Sequence, residues 1–225
     1  RAKKITRAFV KILNKANINF AVLGELESSS GDAAKRAGNE FLFQMQALMN
    51  IEILNSYDIT NIVTTCPHSY NTLKNEYSDL GGNYKVTHHT EFISDLIKHG
   101  KLNLTADFNY KKITYHDPCY LGRGNDIYES PRDLIANLNI DFVEMPRNKR
   151  KSFCCGAGGA QMFKEAENGK FEINIIRTEE ALKTGADVIA TGCPFCNTMM
   201  TDGVKNISEG QAQVKDIAEL IAECI

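Results

Sequence analysis

Five cysteines carry the chemistry this sequence can do: Cys119, then Cys154 and Cys155 after thirty-four intervening residues, then Cys193 and Cys196 after thirty-seven more. Thiolates are soft ligands that select iron–sulfur clusters, zinc or Cu(I). Zinc and an ordinary cubane cluster each take four protein ligands, so the fifth thiol is the informative one. The spacing predicts that all five converge on one metal site, an iron–sulfur cluster in a redox protein. Two other chemistries compete. Four of the thiols suit a structural zinc in an interaction module without turnover. The C-x-x-C pair Cys193-Pro194-Phe195-Cys196 alone suits a dithiol oxidoreductase, although three further cysteines accompany it.

Other residues are weaker candidates. His116 stands three residues before Cys119, and His88-His89 end a predicted strand, so each can reach the same region; a structural histidine accounts for them equally well. His68 follows Cys66-Pro67, and His99 closes a helix, where a cation is favoured. Arg123 suits either a cluster's charge or a surface ion pair. Cys66 lacks a second thiol at Ser69 and reads as a leftover, and Cys224 reads as a small buried hydrophobe. The run Cys155-Gly156-Ala157-Gly158-Gly159-Ala160 is no nucleotide loop, because Gln161 occupies the third glycine position of G-x-G-x-x-G. Those glycines suit either close backbone approach to a cluster or a tight turn.

Strands and helices alternate along the chain, which predicts an α/β fold with parallel sheets. A helix over 4–16 leads to a strand at 18–23 ending at Gly24. A long helix over 33–54 precedes a strand at 61–65 that stops at Cys66-Pro67. Further strands are expected at 85–89, 113–116, 141–145 and 187–191, with helices near 91–99, 132–138, 161 and 172–183 and helices from Pro194 to the end. In such sheets the C-terminal strand ends share one edge where ligands bind, so distant loops can bring their thiols together. Asn61–Ser69 mirrors Val188–Cys196 as a strand ending in Cys-Pro, and Ser28–Asp32 lies nearly as far before Cys66 as Ser152–Gly156 lies before Cys193. This predicts two similar Rossmann-like domains related by internal duplication, 1–104 and 105–225, joined by a polar linker at 101–111. The first copy has serines in place of cysteines and lacks its leading strand, so the chain reads as a fragment.

Composition excludes some classes. The net charge is −2 and 24% of the 225 residues are charged, with no basic footprint for nucleic acid. No apolar run reaches the roughly 18 to 20 residues of a membrane-spanning helix, and Arg1-Ala2-Lys3-Lys4 does not open a signal peptide. The expectation is a cytoplasmic location, or one peripheral to a membrane complex.

At His116-Asp117-Pro118-Cys119-Tyr120-Leu121-Gly122-Arg123, Phe153-Cys154-Cys155-Gly156-Ala157-Gly158-Gly159 and Gly192-Cys193-Pro194-Phe195-Cys196 the chain resembles the cysteine-rich (CCG) domain family. Within it, the chain is most similar to iron–sulfur proteins related to the B or D polypeptide of heterodisulfide reductase. Gly38-Asn39-Glu40-Phe41, Cys66-Pro67-His68 and His88-His89-Thr90-Glu91-Phe92 extend the likeness through the first half. The resemblance implies paired domains in electron-transfer complexes with ferredoxin-type domains or flavoproteins, acting on a disulfide, quinone or other acceptor. It also implies a non-cubane 4Fe-4S cluster on Cys119, Cys154, Cys155, Cys193 and Cys196. Ser29 and Ser69 depart from the pattern, and a serine hydroxyl is a poor ligand at neutral pH. The first site is therefore expected to be empty, with electron transfer through one cluster.

Overall fold

The fold follows from a computed structural model that describes residues 1–105, 110–165, 168–207, 210 and 212–225. The chain opens with α1 (Ala2–Lys15), whose Ile5, Phe9, Ile12 and Leu13 fall on one buried face. Next come α2 (Asp32–Arg36) and α3 (Glu40–Ser56), where one helix over 33–54 was expected. The break has a local cause. Gly38 takes the left-handed conformation at φ 84°, and the Asn39 side chain then accepts a hydrogen bond from Leu42 N–H to cap α3.

The first parallel sheet pairs β1 (Asn61–Thr64) with β2 (Lys85–His88). Between them α4 (Pro67–Asn71) runs into a π-helical turn, Thr72–Glu76. After β2 comes α5 (His89–Lys98), opened by a reciprocal cap between His88 and Glu91. The strand expected at 18–23 is absent: those residues are irregular and run into a short 3-10 turn, Gly24–Leu26. A strand exists only when a neighbour pairs its backbone, and among the described residues the first sheet holds β1 and β2 alone.

The second sheet has β3 (Lys112–His116), β4 (Asp141–Phe142), β5 (Val188–Thr191) and β6 (Gln213–Asp216) in the order β4-β3-β5-β6, all parallel. Its helices are α6 (Gly122–Asn125), α7 (Glu129–Ala136), α8 (Ile173–Leu182), α9 (Pro194–Ile207) and α10 (Ile217–Glu223). All four residues of β5 are buried, as a central parallel strand covered on both faces requires. β6 was not expected, because the end of the chain read as helix throughout. The helix expected near Gln161 is a single 3-10 turn, Gln161–Phe163. Of the expected linker at 101–111, residues 106–109 lie outside the described residues.

The main core joins both halves. Ile5, Phe9, Ile12 and Leu13 of α1 pack with Ile93 and Leu96 of α5, with Ile113 and Val188 of the second sheet, and with α10. Cys224 is buried in this core, as expected of a small hydrophobe. A smaller core puts the inner face of α3, with Phe43, Ala47 and Ile51, against Tyr77. The outer face of α3 is bare: Phe41, Met45, Leu48 and Met49 are all exposed, Phe41 by 76%.

Candidate metal centre

The C-terminal strand ends bring the cysteines together. His116, Thr191 and Asp216 end β3, β5 and β6 in register, and the chain runs on from the first two to Cys119 and Cys193. Cys193 directly precedes α9 and Cys196 lies in its first turn, where the helix dipole and free N–H groups favour thiolate. The sulfurs form one contact series. Cys154 hydrogen-bonds with both Cys119 and Cys155, Cys155 and Cys196 lie 3.4 Å apart, and Cys193 hydrogen-bonds with both Cys196 and Cys66. Cys155, Cys193 and Cys196 are buried, whereas Cys119 and Cys154 are partly open to solvent.

The direction in which the thiols are shifted alternates along this series. Hydrogen bonds from Cys119 and Cys155 hold the Cys154 thiol far below its usual range. Burial pushes the Cys193 thiol up, but bonds from Cys196 and Cys66 outweigh it and bring the thiol well down. The flanking thiols move the other way: the contact with Cys154 pushes Cys155 up to about 12, and Cys119 and Cys196 also rise. The two lowered thiols, Cys154 and Cys193, thus each stand between two raised ones.

The loops carrying these thiols are fixed by buried ion pairs. Arg132 grips Asp117 through two parallel bonds of 2.8 and 2.9 Å. Lys149 N–H donates to the same carboxylate at 2.8 Å, and the Ser152 hydroxyl donates to Asp117 C=O at 3.1 Å. The segment before Cys119 is thereby bolted to the segment before Cys154. Arg177, fully buried in α8, donates from Nε to His116 Nδ1 at 3.0 Å and from Nη1 to Arg147 C=O at 2.9 Å. Because guanidinium only donates, His116 Nδ1 is an acceptor and its Nε2 keeps the proton. Burial, then the charge of Arg177, lowers the His116 pKa to about 3, so the ring is neutral. His116, Cys155 and Cys196 place ligand atoms within 4.8 Å of one another. With Nδ1 taken and Nε2 protonated, His116 is an N–H donor beside the sulfurs rather than a ligand.

Gly156 is required by its geometry. Its φ is 91°, its N–H donates to Cys154 Sγ at 3.2 Å, and a Cβ there would stand 3.2 Å from Ile173 Cβ. Both open readings of the glycine run apply here: a turn, and a close approach that aims an N–H at sulfur.

The cysteine-rich domain family, CCG, matches residues 1–74 and again 113–201. This chain belongs to that family. It is 45% identical to a probable iron–sulfur-binding oxidoreductase of Bacillus subtilis, over all of this chain and 32% of that protein. It is 41% identical to an EtfAB:quinone oxidoreductase of Syntrophomonas wolfei, over 98% of this chain and 32% of that protein. Against the D polypeptide of the dihydromethanophenazine:CoB–CoM heterodisulfide reductase of Methanosarcina barkeri it is 34% identical, over 96% of this chain and 54% of that polypeptide. The chain thus spans about a third to a half of these curated relatives.

Within this cysteine-rich domain protein, two serine contacts in the first half have the geometry of cysteine contacts in the second. Gly31, at φ 84°, donates its N–H to Ser29 Oγ at 3.2 Å, as Gly156 does to Cys154. Ser30 and Ser69 meet at 3.3 Å, where Cys155 and Cys196 meet in the second half. Cys66, which reads from sequence as a leftover, stands at the end of the sulfur series against Cys193. Its signal was present, since it ends a strand in Cys-Pro as Cys193 does. His68 stands beside it, with Nδ1 2.8 Å from Asp32 Oδ2 and its ring 4.3 Å from the Tyr120 ring centre and 5.0 Å from that of Phe195. His88 and His89 are buried: His89 bridges His88, at 3.2 Å, and Asp216, at 2.9 Å, tying β2 to β6. Arg123 donates to Ser152 C=O, and His99 Nδ1 is 2.8 Å from Asp95 C=O at the end of α5. Asp117, Arg132 and Arg177 were not singled out in the sequence, where a charged residue reads as surface.

Proposed function

We propose that this chain is the iron–sulfur component of an oxidoreductase, with one four-iron cluster, non-cubane in type, held by Cys119, Cys154, Cys155, Cys193 and Cys196. The observation that supports this reading is the unbroken series of sulfur contacts, which supplies more soft donors than zinc or a cubane uses. When bound, such a cluster supplies one-electron redox chemistry whose potential follows charge and hydrogen bonding at its sulfurs. The chain's own residues supply the rest. Gly156 N–H and the protonated nitrogen of His116 are donors beside the sulfurs, and Arg177 and Arg132 fix the loops. Burial of Cys155, Cys193 and Cys196 excludes water.

The same reading takes 1–104 and 105–225 as two Rossmann-like copies of one duplicated domain. The two matched family segments and the parallel geometry of Ser29-Ser30-Gly31 and Cys154-Cys155-Gly156 support it. The first copy, with Ser29, Ser30 and Ser69, holds no cluster. Electrons pass between a protein carrier, flavoprotein or ferredoxin-type, and a disulfide or quinone acceptor. The relatives named for quinone reduction and heterodisulfide reduction support those acceptor classes. No helix of the described residues is long and apolar enough to cross a membrane. A peripheral place beside a membrane complex fits a relative named a probable membrane-anchored ferredoxin.

A zinc-stapled module, with four of the thiols holding the metal, is the second reading, favoured by the close approach of Cys155 and Cys196 at 3.4 Å. Iron and acid-labile sulfide analysis of anaerobically purified protein, with its absorption spectrum, separates the two. Brown protein with about four irons per chain is expected; colourless protein loaded with zinc overturns the cluster reading.

A further inference from the structure

The two partly exposed cysteines, Cys119 and Cys154, open onto a surface with two unlike features. The first is charge. The segment Arg147-Asn148-Lys149-Arg150-Lys151 leads straight into Ser152-Phe153-Cys154, and it is anchored there by three contacts. The Arg147 guanidinium lies 3.9 Å from the Phe153 ring centre, Lys149 N–H holds Asp117, and Arg123 holds Ser152 C=O. Arg147 is answered by Glu180 and Lys149 by Glu129. Arg123, Arg150 and Lys151 are exposed and, among the described residues, have no ion-pair partner. A molecule with net charge −2 thus gathers unanswered positive charge beside its thiol series.

The second feature is apolar. Phe163, Phe171 and Ile173 are exposed by 65%, 74% and 43%. Two of them touch the site: Ile173 sits against Gly156, and the Phe163 ring lies 6.1 Å from that of Phe195, in the first turn of α9, while Phe171 stands two residues before Ile173 in the chain. Apolar anchors beside a charged rim are the anatomy of a specific but transient protein interface. The rim charges set encounter rate and partner choice.

The geometry points to this face as the docking surface for an acidic electron-carrier protein, which presents its own redox centre to the Cys119 and Cys154 side of the site. This deepens the cluster reading and rests on it. In each encounter the carrier's centre is oxidised by one electron and this chain's centre is reduced by one. An acidic partner is favoured because three cations stand at the rim and no carboxylate among the described residues pairs with them. An apolar contact is needed because Phe163, Phe171 and Ile173 would otherwise stay in water.

The test is stopped-flow reduction of the iron-loaded chain by a reduced acidic [2Fe–2S] ferredoxin, used as the probe. The double substitution Arg150→Glu, Lys151→Glu is expected to lower the second-order rate about tenfold at low salt and to flatten its fall with ionic strength. Reduction by methyl viologen radical cation should be no slower. Phe171→Ser is expected to raise carrier dissociation at every salt concentration. Calorimetric titration of the metal-free chain with the same ferredoxin should show the same loss of affinity, so docking is read even if the chain takes up no iron, a result that would sink the cluster reading instead. Unchanged rate and salt dependence in the double variant overturn the proposal. So does a slowing that persists at high salt or appears equally with viologen, or a change confined to self-association in sedimentation.

Discussion

At the scale of single residues, the sulfur series ranks the cysteines. Cys154 touches two neighbouring thiols and receives the Gly156 N–H, whereas Cys66 touches a single thiol, Cys193, together with Ser69, and comes from the first half. Cys154→Ser is expected to abolish cluster retention, and Cys66→Ser to leave about four irons per chain, as read by iron and sulfide analysis of anaerobic protein. Loss of iron in both would move Cys66 into the ligand set. Most of the candidate site was legible at this scale, because clustered cysteines beside glycine and proline are conspicuous. Its supports were not. Arg177 and Asp117 look like ordinary charges in sequence, and only folding reveals that each is buried and that Arg177 meets His116, and Asp117 meets Lys149, from more than thirty residues away.

Among elements, the packing of α8 on α9 depends on one glycine. A Cβ at Gly203 would fall 2.1 Å from Thr178 Oγ1, a distance no contact tolerates, so the helices touch only because that position is bare. Gly203→Ala should cost about 1–3 kcal/mol by overpacking and displace the helix that carries Cys196; thermal melting, with iron content alongside, measures both. Glu180 of α8 gives a pH signature. Burial alone would raise its pKa, but bonds from Arg147 and Arg177 outweigh it and hold the carboxyl below the ordinary value of 4.5. A depressed folded value means stabilisation present above that pH and lost as acid titrates the folded carboxylate. Glu180→Gln should therefore cost about 1–2 kcal/mol near neutral pH, with the gap from the parent closing below pH 4.5 in denaturant titrations. Legibility at this scale tracked apolar content. Val188-Ile189-Ala190-Thr191 declared itself a strand, whereas Gln213-Val214-Lys215-Asp216 carries one aliphatic residue and gave no such signal. Ile18 to Leu23 erred the other way, having the composition of a strand but no neighbour to pair with. The Gly38-Asn39 break between α2 and α3 was readable from residue types, but the apolar run across it hid it.

For the molecule as a whole, α1 shows how far the halves share a core. Ile12 is fully buried among residues of α5, α10 and the second sheet. Ile12→Ala should cost about 2–5 kcal/mol, and circular dichroism and tyrosine fluorescence should report a single shared transition. Separate transitions would show that the halves unfold independently. Sequence could place α1 as an amphipathic helix, but not name the surface it covers, because periodicity identifies an apolar face without its partner.

The bare flank of α3 has its own consequence for handling the isolated protein. An apolar stripe gains nothing from water, so Phe41, Met45, Leu48 and Met49 make a sticky strip on an otherwise well-charged particle. Colloidal behaviour should then be governed by this strip rather than by the small net charge, with turbidity promoted by sulfate and relieved by mild detergent.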